Sequence, residues 1–328
     1  ENIIRFGEEV NPEEIDISWR DNTYGRVNFY IENLLDGDRI AVERANHEYQ
    51  ASLTAGVMQI EFFDGTVWTQ ADILQRLRQA TGASDTVLLA GHANSYNAGS
   101  GRDSIFGTSE DDVIYGGRGA DKIQGRGGND TIWGGSGSDT IHSGSEEGGA
   151  SSLYGEAGSD ILVGSSGDDL LVGGDGNDSL NPGHGNDSLI AGAGNDDIEV
   201  DHYQKGTKYI EPGSGDDKVV VSSLTLADQV IIQISENLGK DEIHPEPNTT
   251  IRFDSSVWAN DLSVVVSSDK VYLRRIASGD QITIHTSLEK FELNAIEFTN
   301  ASGQVVQSWG VAELLQHGVR ADDRSNYM

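Results

Sequence analysis

Aspartate recurs at nine-residue intervals through the middle of the chain, each time near the end of a glycine-rich stretch. From Gly107 the sequence divides without a gap into GTSEDDVIY, GGRGADKIQ, GRGGNDTIW and GGSGSDTIH. The same register returns from Gly155 as GEAGSDILV, GSSGDDLLV, GGDGNDSLN, PGHGNDSLI and AGAGNDDIE, and a further copy, PGSGDDKVV, begins at Pro212. Carboxylates spaced so regularly are suited to oxygen coordination of multivalent cations.

The charge of the chain agrees with cation binding. Acidic residues number 54 against 22 basic ones, which gives a formal net charge of -32. This charge repels phosphate backbones and anionic lipid surfaces, so nucleic acid is not expected as a partner. An excess of carboxylate favours either disorder or neutralisation by cations, and the fixed intervals favour cations. The 41 glycines keep the same period, which low-complexity sequence would not do.

The sequence lacks the residues and motifs of disulfide bonding, of common catalytic sites and of transition-metal sites. The chain contains no cysteine, which excludes disulfides and thiolate metal sites. It has no HExxH, GxSxG, GxGxxG or phosphate-loop motif, so we do not expect an enzyme. The eight histidines are scattered and none lies at zinc-ligand spacing from another, so a transition-metal role is not expected either.

The elements that position the aspartates follow from the rest of each unit. A glycine-rich turn is followed by a three-residue strand whose middle residue is a large aliphatic. Because alternate strand residues face opposite ways, one such residue per unit fills a narrow core. Two units make one full coil, so turns alternate between two edges and stack at about the 4.8 Å spacing of neighbouring strands. The predicted core residues are Ile123, Ile132, Ile141, Leu162, Leu171, Leu180, Leu189 and Ile198.

The pattern GGxGxDxUx, where U is a large aliphatic, resembles the repeat-in-toxin (RTX) nonapeptide over roughly residues 85 to 221. This resemblance implies an all-β fold, a right-handed parallel β-roll, with ions held between stacked turns by aspartate side chains and glycine carbonyls. Oxygen-only sites with many carbonyl ligands favour calcium over magnesium. The implied carboxylate ligands are Asp103, Asp112, Asp121, Asp130, Asp139, Asp160, Asp169, Asp178, Asp187, Asp196 and Asp217. The implied carbonyl ligands are Gly99, Gly101, Gly117, Gly119, Gly135, Gly137, Gly174, Gly176, Gly192 and Gly194.

Five residues replace glycines that the pattern requires, and they predict strained turns or altered carbonyl geometry at those places. They are Thr108, Glu110, Arg126, Glu156 and Ser165.

The nine-residue register slips twice, and the slips predict that the two edges differ. Segments 143–154 and 200–211 each occupy twelve residues, with Ser151 and Lys208 where aspartate is expected. Alternation places both on one edge, here called the interrupted edge: Asn94, Asp112, Asp130, Ser151, Asp169, Asp187 and Lys208. The opposite, unbroken edge comprises Asp103, Asp121, Asp139, Asp160, Asp178, Asp196 and Asp217, with Asp85 as a further candidate before them.

We therefore expect several calcium ions, most of them on the unbroken edge. Asp139 and Asp160 should share one ion, because the inserted loop would bulge out on the far edge. On the interrupted edge the ammonium group of Lys208 should supply the positive charge beside Asp187 in place of an ion.

The chain before the repeats and the chain after them share an order of motifs. IIRFGEEVNPEEIDIS parallels TIRFDSSVWANDLSVV, DGDRIAV parallels SGDQITI, and QIEFFDGTVWTQADIL parallels AIEFTNASGQVVQSWGVAELL. Each copy predicts short strands and a final short helix, the first starting near Thr69 and Asp72 and the second ending at Gly318. Trp68, Trp258 and Trp309 are expected to pack in their cores.

These flanking segments resemble the haemolysin-type calcium-binding-related domain. We interpret them as caps, because a solenoid leaves an unpaired strand at each end. The predicted division is a capping module at 1–80, the β-roll at 81–221, a second capping module, duplicating the first, at 222–320 and a tail at 321–328.

The leading functional interpretation is a non-catalytic calcium-binding module of a large secreted bacterial protein. The resemblance implies export through type I secretion machinery, followed by folding on external calcium. No apolar run could span a membrane, and the start at Glu1 without a signal peptide suggests a fragment attached to other domains. Two alternatives remain open: an adhesin segment that binds a surface or carbohydrate ligand, and a chaperoning tail of an upstream secreted enzyme or toxin.

Overall fold

The fold is known from a computed structural model of the chain. It describes residues 84–89, 95–144, 149–201, 205–222, 228–235, 239–267, 269–286 and 293–310, six separate strands before residue 70, and residues 313–314, 316 and 318–320. The N-terminal helix predicted near Thr69 and Asp72, Asn94 of the interrupted edge and the tail at 321–328 lie outside the described residues.

Six strands precede the repeats. They are β1 (Ile3–Arg5), β2 (Ile15–Asp21), β3 (Val27–Asn33), β4 (Arg39–Val42), β5 (Gln59–Glu61) and β6 (Val67–Thr69). β5 pairs parallel with β1 and antiparallel with β6, while β2, β3 and β4 form an antiparallel meander.

The repeats form short strands with one turn between each. These are β7 (Thr86–Leu88), β8 (Ser95–Asn97), β9 (Ser104–Phe106), β10 (Val113–Arg118), β11 (Lys122–Arg126), β12 (Thr131–Ser136), β13 (Thr140–Gly144), β14 (Ser152–Ala157), β15 (Ile161–Val163), β16 (Leu170–Asp175), β17 (Ser179–Asn181), β18 (Asp187–Ala193), β19 (Asp197–Val200), β20 (Thr207–Ser214) and β21 (Lys218–Val221).

The remaining strands are β22 (Gln229–Ile234), β23 (Lys240–His244), β24 (Thr249–Phe253), β25 (Leu262–Val266), β26 (Lys270–Arg275), β27 (Gln281–His285), β28 (Ala295–Thr299), β29 (Val305–Trp309) and β30 (Gly318–Arg320). One 3-10 turn, Ala259–Asp261, precedes β25.

Successive strands alternate between two sheets. Odd strands from β7 to β23 stack in a 13-stranded sheet, here sheet A, and even strands from β8 to β24 stack in an 11-stranded sheet, here sheet B. Within this stack each strand pairs in parallel with the strand one coil before it, as β10 does with β8 and β11 with β9. The fold is therefore the all-β parallel β-roll that the repeats predict.

From β9 to β18, each strand of the roll contributes one large aliphatic side chain to the core. All eight predicted core residues are buried, and they alternate between the two sheets, Ile123 lying in sheet A and Ile132 in sheet B. Each stacks on its equivalent one coil away, so Ile132 pairs with Leu153 and Leu153 with Leu171. The predicted register of the strands is confirmed.

Both sheets continue beyond residue 221, where the glycine-rich repeats end. β22 pairs in parallel with β20, and β23 with β21. In β22 the side chains of Val230, Ile231, Ile232 and Ile234 are buried, and these β-branched residues are sufficient to extend a stack that is already formed.

The two flanking segments share a strand topology. β24 pairs parallel with β28, which pairs antiparallel with β29, as β1 does with β5 and β5 with β6. β25, β26 and β27 form an antiparallel meander, as β2, β3 and β4 do. This is the arrangement that a duplication of one ancestral segment would produce.

The predicted packing of tryptophans is correct at one position and wrong at another. Trp309 is buried and packs edge-on against Phe298, with ring centroids 4.7 Å apart. Trp258 is 57% exposed, because it stands just before the 3-10 turn, outside the alternating pattern of the strands. No described helix is long and apolar enough to cross a membrane.

Candidate metal centre

The aspartates of the unbroken edge form a continuous ladder of hydrogen bonds along the roll. Each aspartate from Asp103 to Asp217 precedes a strand of sheet A and is buried, and its backbone N–H donates to Oδ1 of the aspartate one coil later. The ladder begins with the N–H of Asp85 donating to Asp103 and ends with that of Asp217 donating to Asp241. The N···O distances along it lie between 2.6 and 3.1 Å.

The second oxygen of each carboxylate is buried and has no hydrogen-bond partner among the described residues. This holds for Oδ2 of Asp103, Asp121, Asp139, Asp160, Asp178, Asp196, Asp217 and Asp241. Burial raises the pKa of every one of these carboxyls, to about 7 for Asp160 and about 8 for Asp241. A buried carboxylate oxygen without a partner is costly unless a proton or a cation neutralises it.

The glycine-rich turns bring carbonyl oxygens towards the same place. All ten glycines predicted as carbonyl ligands have positive φ, for example 106° at Gly117 and 131° at Gly119, a conformation that is unstrained only for glycine. A Cβ on Gly116 would lie 2.7 Å from Oδ2 of Asp121 and 2.6 Å from the carbonyl oxygen of Gly134. The ladder oxygen thus faces a carbonyl of the next coil across a space that only glycine leaves open, and this donor set fits a hard cation such as calcium.

Comparison with known proteins agrees with this chemistry. The family described as RTX calcium-binding nonapeptide repeat (4 copies) matches at residues 90–123, 97–132, 118–146, 147–180, 154–187 and 183–200. The central repeats are RTX nonapeptide repeats. No curated protein matches the chain.

Several solved structures are similar in part. One of them is the crystal structure of the extracellular lipase LipA from Serratia marcescens, with 16% sequence identity and a TM-score of 0.28. The match covers 63% of this chain and 41% of the lipase chain. The chain therefore spans less than half of the length of that lipase.

The twelve-residue segment 143–154, which is three residues longer than a repeat unit, preserves the coil of the RTX repeats. β13 pairs in register with β15 across it, and the N–H of Asp139 donates to Oδ1 of Asp160 at 2.7 Å. The two residues are neighbours on the ladder, although they are 21 residues apart in sequence. This is the arrangement that a shared ion would require.

The interrupted edge satisfies most of its carboxylates with protein groups. Oδ2 of Asp112 accepts the backbone N–H of Thr108 at 2.6 Å, and Oδ2 of Asp169 accepts that of Ser165 at 2.7 Å. Ser151 takes the ladder position between Asp130 and Asp169, where its hydroxyl accepts the N–H of Asp130 at 3.1 Å. Of the ladder carboxylates described on this edge, only Asp130 has an Oδ2 that meets neither a hydrogen-bond donor nor a cation.

Lys208 occupies the ladder position after Asp187, and its ammonium group lies among oxygen atoms. Nζ is 2.7 Å from Oδ2 of Asp187 and donates to the carbonyl oxygens of Gly185 and Lys205 at 2.7 and 2.8 Å. Both side chains of the ion pair are almost fully buried, at 1% and 0% exposure. One carboxylate and two carbonyls therefore surround a positive charge, as predicted from the register of the RTX repeats.

The residues that replace repeat glycines fall into two groups. Arg126 and Glu156 take positive φ values of 83° and 76°, so the predicted strain is present there. Thr108 and Ser165 are not in that conformation and instead donate their N–H groups to ladder carboxylates. Glu110 donates its N–H to the hydroxyl of Thr108 at 3.1 Å.

Asp241 is the last aspartate of the unbroken edge, and it was not predicted from the sequence. It lies 24 residues after Asp217, outside the residues that the RTX family matches. Gly239, Asp241 and Ile243 nevertheless keep the second half of the repeat pattern, GxDxU, and Gly239 has a positive φ of 63°. That half-motif is the signal that could have identified it.

Proposed function

We propose that this chain is a calcium-dependent folding module of a secreted protein, in which ions neutralise the ladder and hold the coils together. One observation carries the proposal: the row of buried carboxylate oxygens without partners along the unbroken edge. Most of these carboxylates, those from Asp103 to Asp196, lie within the residues that match the RTX calcium-binding repeat.

Electrostatics explains why folding should depend on the ions. Neighbouring carboxylates about 4.8 Å apart repel each other by roughly 3 kcal/mol at an effective dielectric near 20. Strands as short as Ser179–Asn181 bury too little surface to offset this repulsion along the whole ladder. Calcium converts the repulsion into attraction, so binding and folding are coupled.

The distribution of partnerless oxygens favours the unbroken edge as the main calcium site. Its eight aspartates from Asp103 to Asp241 have a free Oδ2, whereas on the interrupted edge Thr108, Ser165 and Lys208 already occupy those of their neighbouring aspartates. We infer that an ion bridges Asp139 and Asp160 and that another bridges Asp217 and Asp241.

The cellular setting follows from the same coupling. A module that stays unfolded at low cytosolic calcium can pass through a type I secretion channel and fold outside a bacterial cell. The flanking segments then serve as caps for the two ends of the solenoid. Its affinity for calcium should lie at about 0.1 to 1 mM, the range of extracellular modules.

The test is a calcium titration followed by circular dichroism, with magnesium as the ion control. We expect β-structure to form with calcium and not with magnesium at the same concentration. Asp196→Asn should raise the calcium midpoint, because it removes one ladder carboxylate, whereas Asp197→Asn, at the neighbouring 59% exposed side chain, should not. A β-rich spectrum that persists after the ions have been removed would overturn the proposal.

A second candidate function, binding of a carbohydrate or surface ligand, has one observation in its favour. Tyr115, Trp133 and Tyr154 form a column on the outer face of sheet B, with ring centroids 4.6 and 5.4 Å apart. The rings stack within 9° of parallel, so both faces of Trp133 are covered by its neighbours. Sugar stacking requires an uncovered ring face, so this candidate ranks second.

Glycan binding by the calcium-loaded chain, lost in Tyr115→Ala, would promote this second candidate. Equal binding by both proteins would remove the column from consideration.

A further inference from the structure

Three side chains that can ligate metals meet on the outer face of sheet A, away from the aspartate ladder. Glu242 and His244 lie two residues apart on β23 and therefore on the same face. β27 pairs in parallel with β23, with Ile243 opposite Ile284, so His285 lies beside His244. The three residues belong to strands that follow the RTX repeats.

The geometry of the cluster is compact. The imidazole rings of His244 and His285 stack with centroids 3.9 Å apart and an interplanar angle of 17°. Nε2 of His285 lies 3.8 Å from Oε2 of Glu242, and one potential ligand atom from each residue falls within 4.8 Å of the others. Nε2 of His285 is buried and has no hydrogen-bond partner among the described residues.

We propose that Glu242, His244 and His285 form a second metal site, which binds a divalent transition metal of the zinc type. Two imidazole nitrogens and one carboxylate oxygen are a donor set that zinc accepts and that calcium, which requires oxygen ligands, does not favour. In a tetrahedral zinc site, bonds of about 2.0 Å place ligand atoms about 3.3 Å apart. We expect rotation of the three side chains about their own bonds to bring their ligand atoms from within 4.8 Å to that spacing.

The surroundings keep the imidazoles ready to bind. Burial lowers the pKa of both histidines, so near neutral pH each ring is uncharged and has a free lone pair. The charge of Glu242 raises both pKa values, whereas that of Lys270 lowers both and that of Lys218 lowers the pKa of His244. The same lysines oppose a bound cation, so we expect an affinity weaker than that of a buried structural zinc site.

The site would have a structural consequence. β23 and β27 are neighbours in sheet A but are separated in sequence by β24, β25 and β26. A metal bound by both strands would cross-link the two ends of the segment that contains β24, β25 and β26. The stabilisation of the folded state would increase with the affinity for the metal and with its concentration. The ligands of this site are separate from those of the aspartate ladder, but β23 and β27 must be folded to bring them together, so the inference rests on the proposed calcium-dependent folding.

The test uses the full chain in saturating calcium, so that the ladder is occupied and folded. Addition of Co²⁺ should give visible absorption bands of a tetrahedral site that saturate at one equivalent, and Zn²⁺ should displace them. The double variant His244→Ala/His285→Ala should lose both signals. His142→Ala is the matched control, because His142 lies in sheet A with Gln124 and Val163, not metal ligands, as strand neighbours.

Two further measurements make the result decisive. Zn²⁺ should raise the melting temperature of the calcium-loaded chain, and Glu242→Gln, a change at a half-exposed residue, should reduce that shift even if the double variant folds poorly. Absence of saturable Co²⁺ or Zn²⁺ binding, or equal binding by Glu242→Gln and the unaltered chain, would overturn the proposal.

Discussion

At the scale of single residues, the two edges of the roll differ in what can neutralise their carboxylates. On the unbroken edge the partnerless oxygens of the ladder call for a metal ion, whereas beside Asp187 the ammonium group of Lys208 is already in place. Its contacts, one carboxylate and two carbonyl oxygens, are of the kinds that the RTX turns offer to an ion. The carboxylate of Asp187 is therefore neutralised by a side chain of the protein rather than by a metal ion.

We predict that Lys208→Met destabilises the calcium-loaded chain by about 3 kcal/mol, because removing one partner of a buried pair leaves the other charge uncompensated. Burial raises the pKa of Asp187 to about 7, so without the ammonium group this carboxyl must take up a proton or an ion. The loss should accordingly be smaller at high calcium. Denaturant unfolding at two calcium concentrations measures it.

The matched control is Lys205→Met. Lys205 is exposed and contributes only its backbone carbonyl to Lys208, which the substitution retains. If both variants lose the same stability, the buried ion pair makes no special contribution.

Some residues of the ladder could be predicted from the sequence and others could not. Lys208 could be predicted because the nine-residue register passes through the inserted segment and assigns it a position. Asp241 could not, because 24 residues separate it from Asp217 and only half of the repeat pattern surrounds it. The sequence did not predict a metal site at His244 and His285 either. The two residues are far apart along the chain, and only the parallel pairing of β23 and β27 makes them neighbours.

At the scale of elements, each strand from β9 to β18 contributes one large aliphatic side chain to the core, so the core there is narrow. Leu171 in β16 is fully buried and stacks between Leu153 and Leu189. No neighbour in the same strand can compensate for its loss, since Leu170 and Val172 face outward.

We predict that Leu171→Asp prevents the roll from ordering even in saturating calcium. The change removes a buried apolar side chain and buries an unpaired charge, two costs that add to several kcal/mol. Asn181→Asp, at an outward position of β17, should order at nearly the calcium concentration of the unaltered chain. Circular dichroism against calcium compares the two, and similar damage at both positions would contradict the observed register.

The core residues of the repeat strands could be predicted because each repeat unit has a regular pattern. One aliphatic residue at a fixed place in each unit was enough to identify the core from Ile123 to Ile198. The continuation of the two sheets into β22 and β23 was not predicted from the sequence. These strands pair with β20 and β21 through apolar residues, but the complete glycine-rich repeat pattern has ended there. The exposure of Trp258 was missed because residue type alone does not locate a side chain outside a repeat.

At the scale of the whole molecule, the buried carboxyls of the acidic ladder link stability to pH. Without metal ions, burial raises the pKa of Asp130, Asp160 and Asp196 to about 7 and that of Asp241 to about 8, from 3.8. Between about pH 4 and pH 8 the folded chain therefore binds more protons than the unfolded chain. The free energy of unfolding must then fall as pH rises through this window.

We predict that metal-free chain, prepared by dialysis, gains β-structure when the pH is lowered from 8 to 5, and loses it again on return to pH 8. Protons then take the place of calcium on the buried oxygens. In the presence of calcium the dependence should reverse, because protons compete with the ion for the same Oδ2 atoms and the calcium midpoint rises as pH falls. Circular dichroism at each pH, with and without calcium, measures both effects.

The net charge of -32 would also favour compaction at low pH, so salt is needed to separate the two causes. At about 1 M NaCl the Debye length is near 3 Å, which screens the surface charges but not carboxylates that are buried against one another. The gain in β-structure at pH 5 should therefore survive in high salt if the ladder is responsible. If salt alone orders the metal-free chain at pH 8, or if acid has no effect in high salt, surface repulsion rather than the buried ladder controls folding.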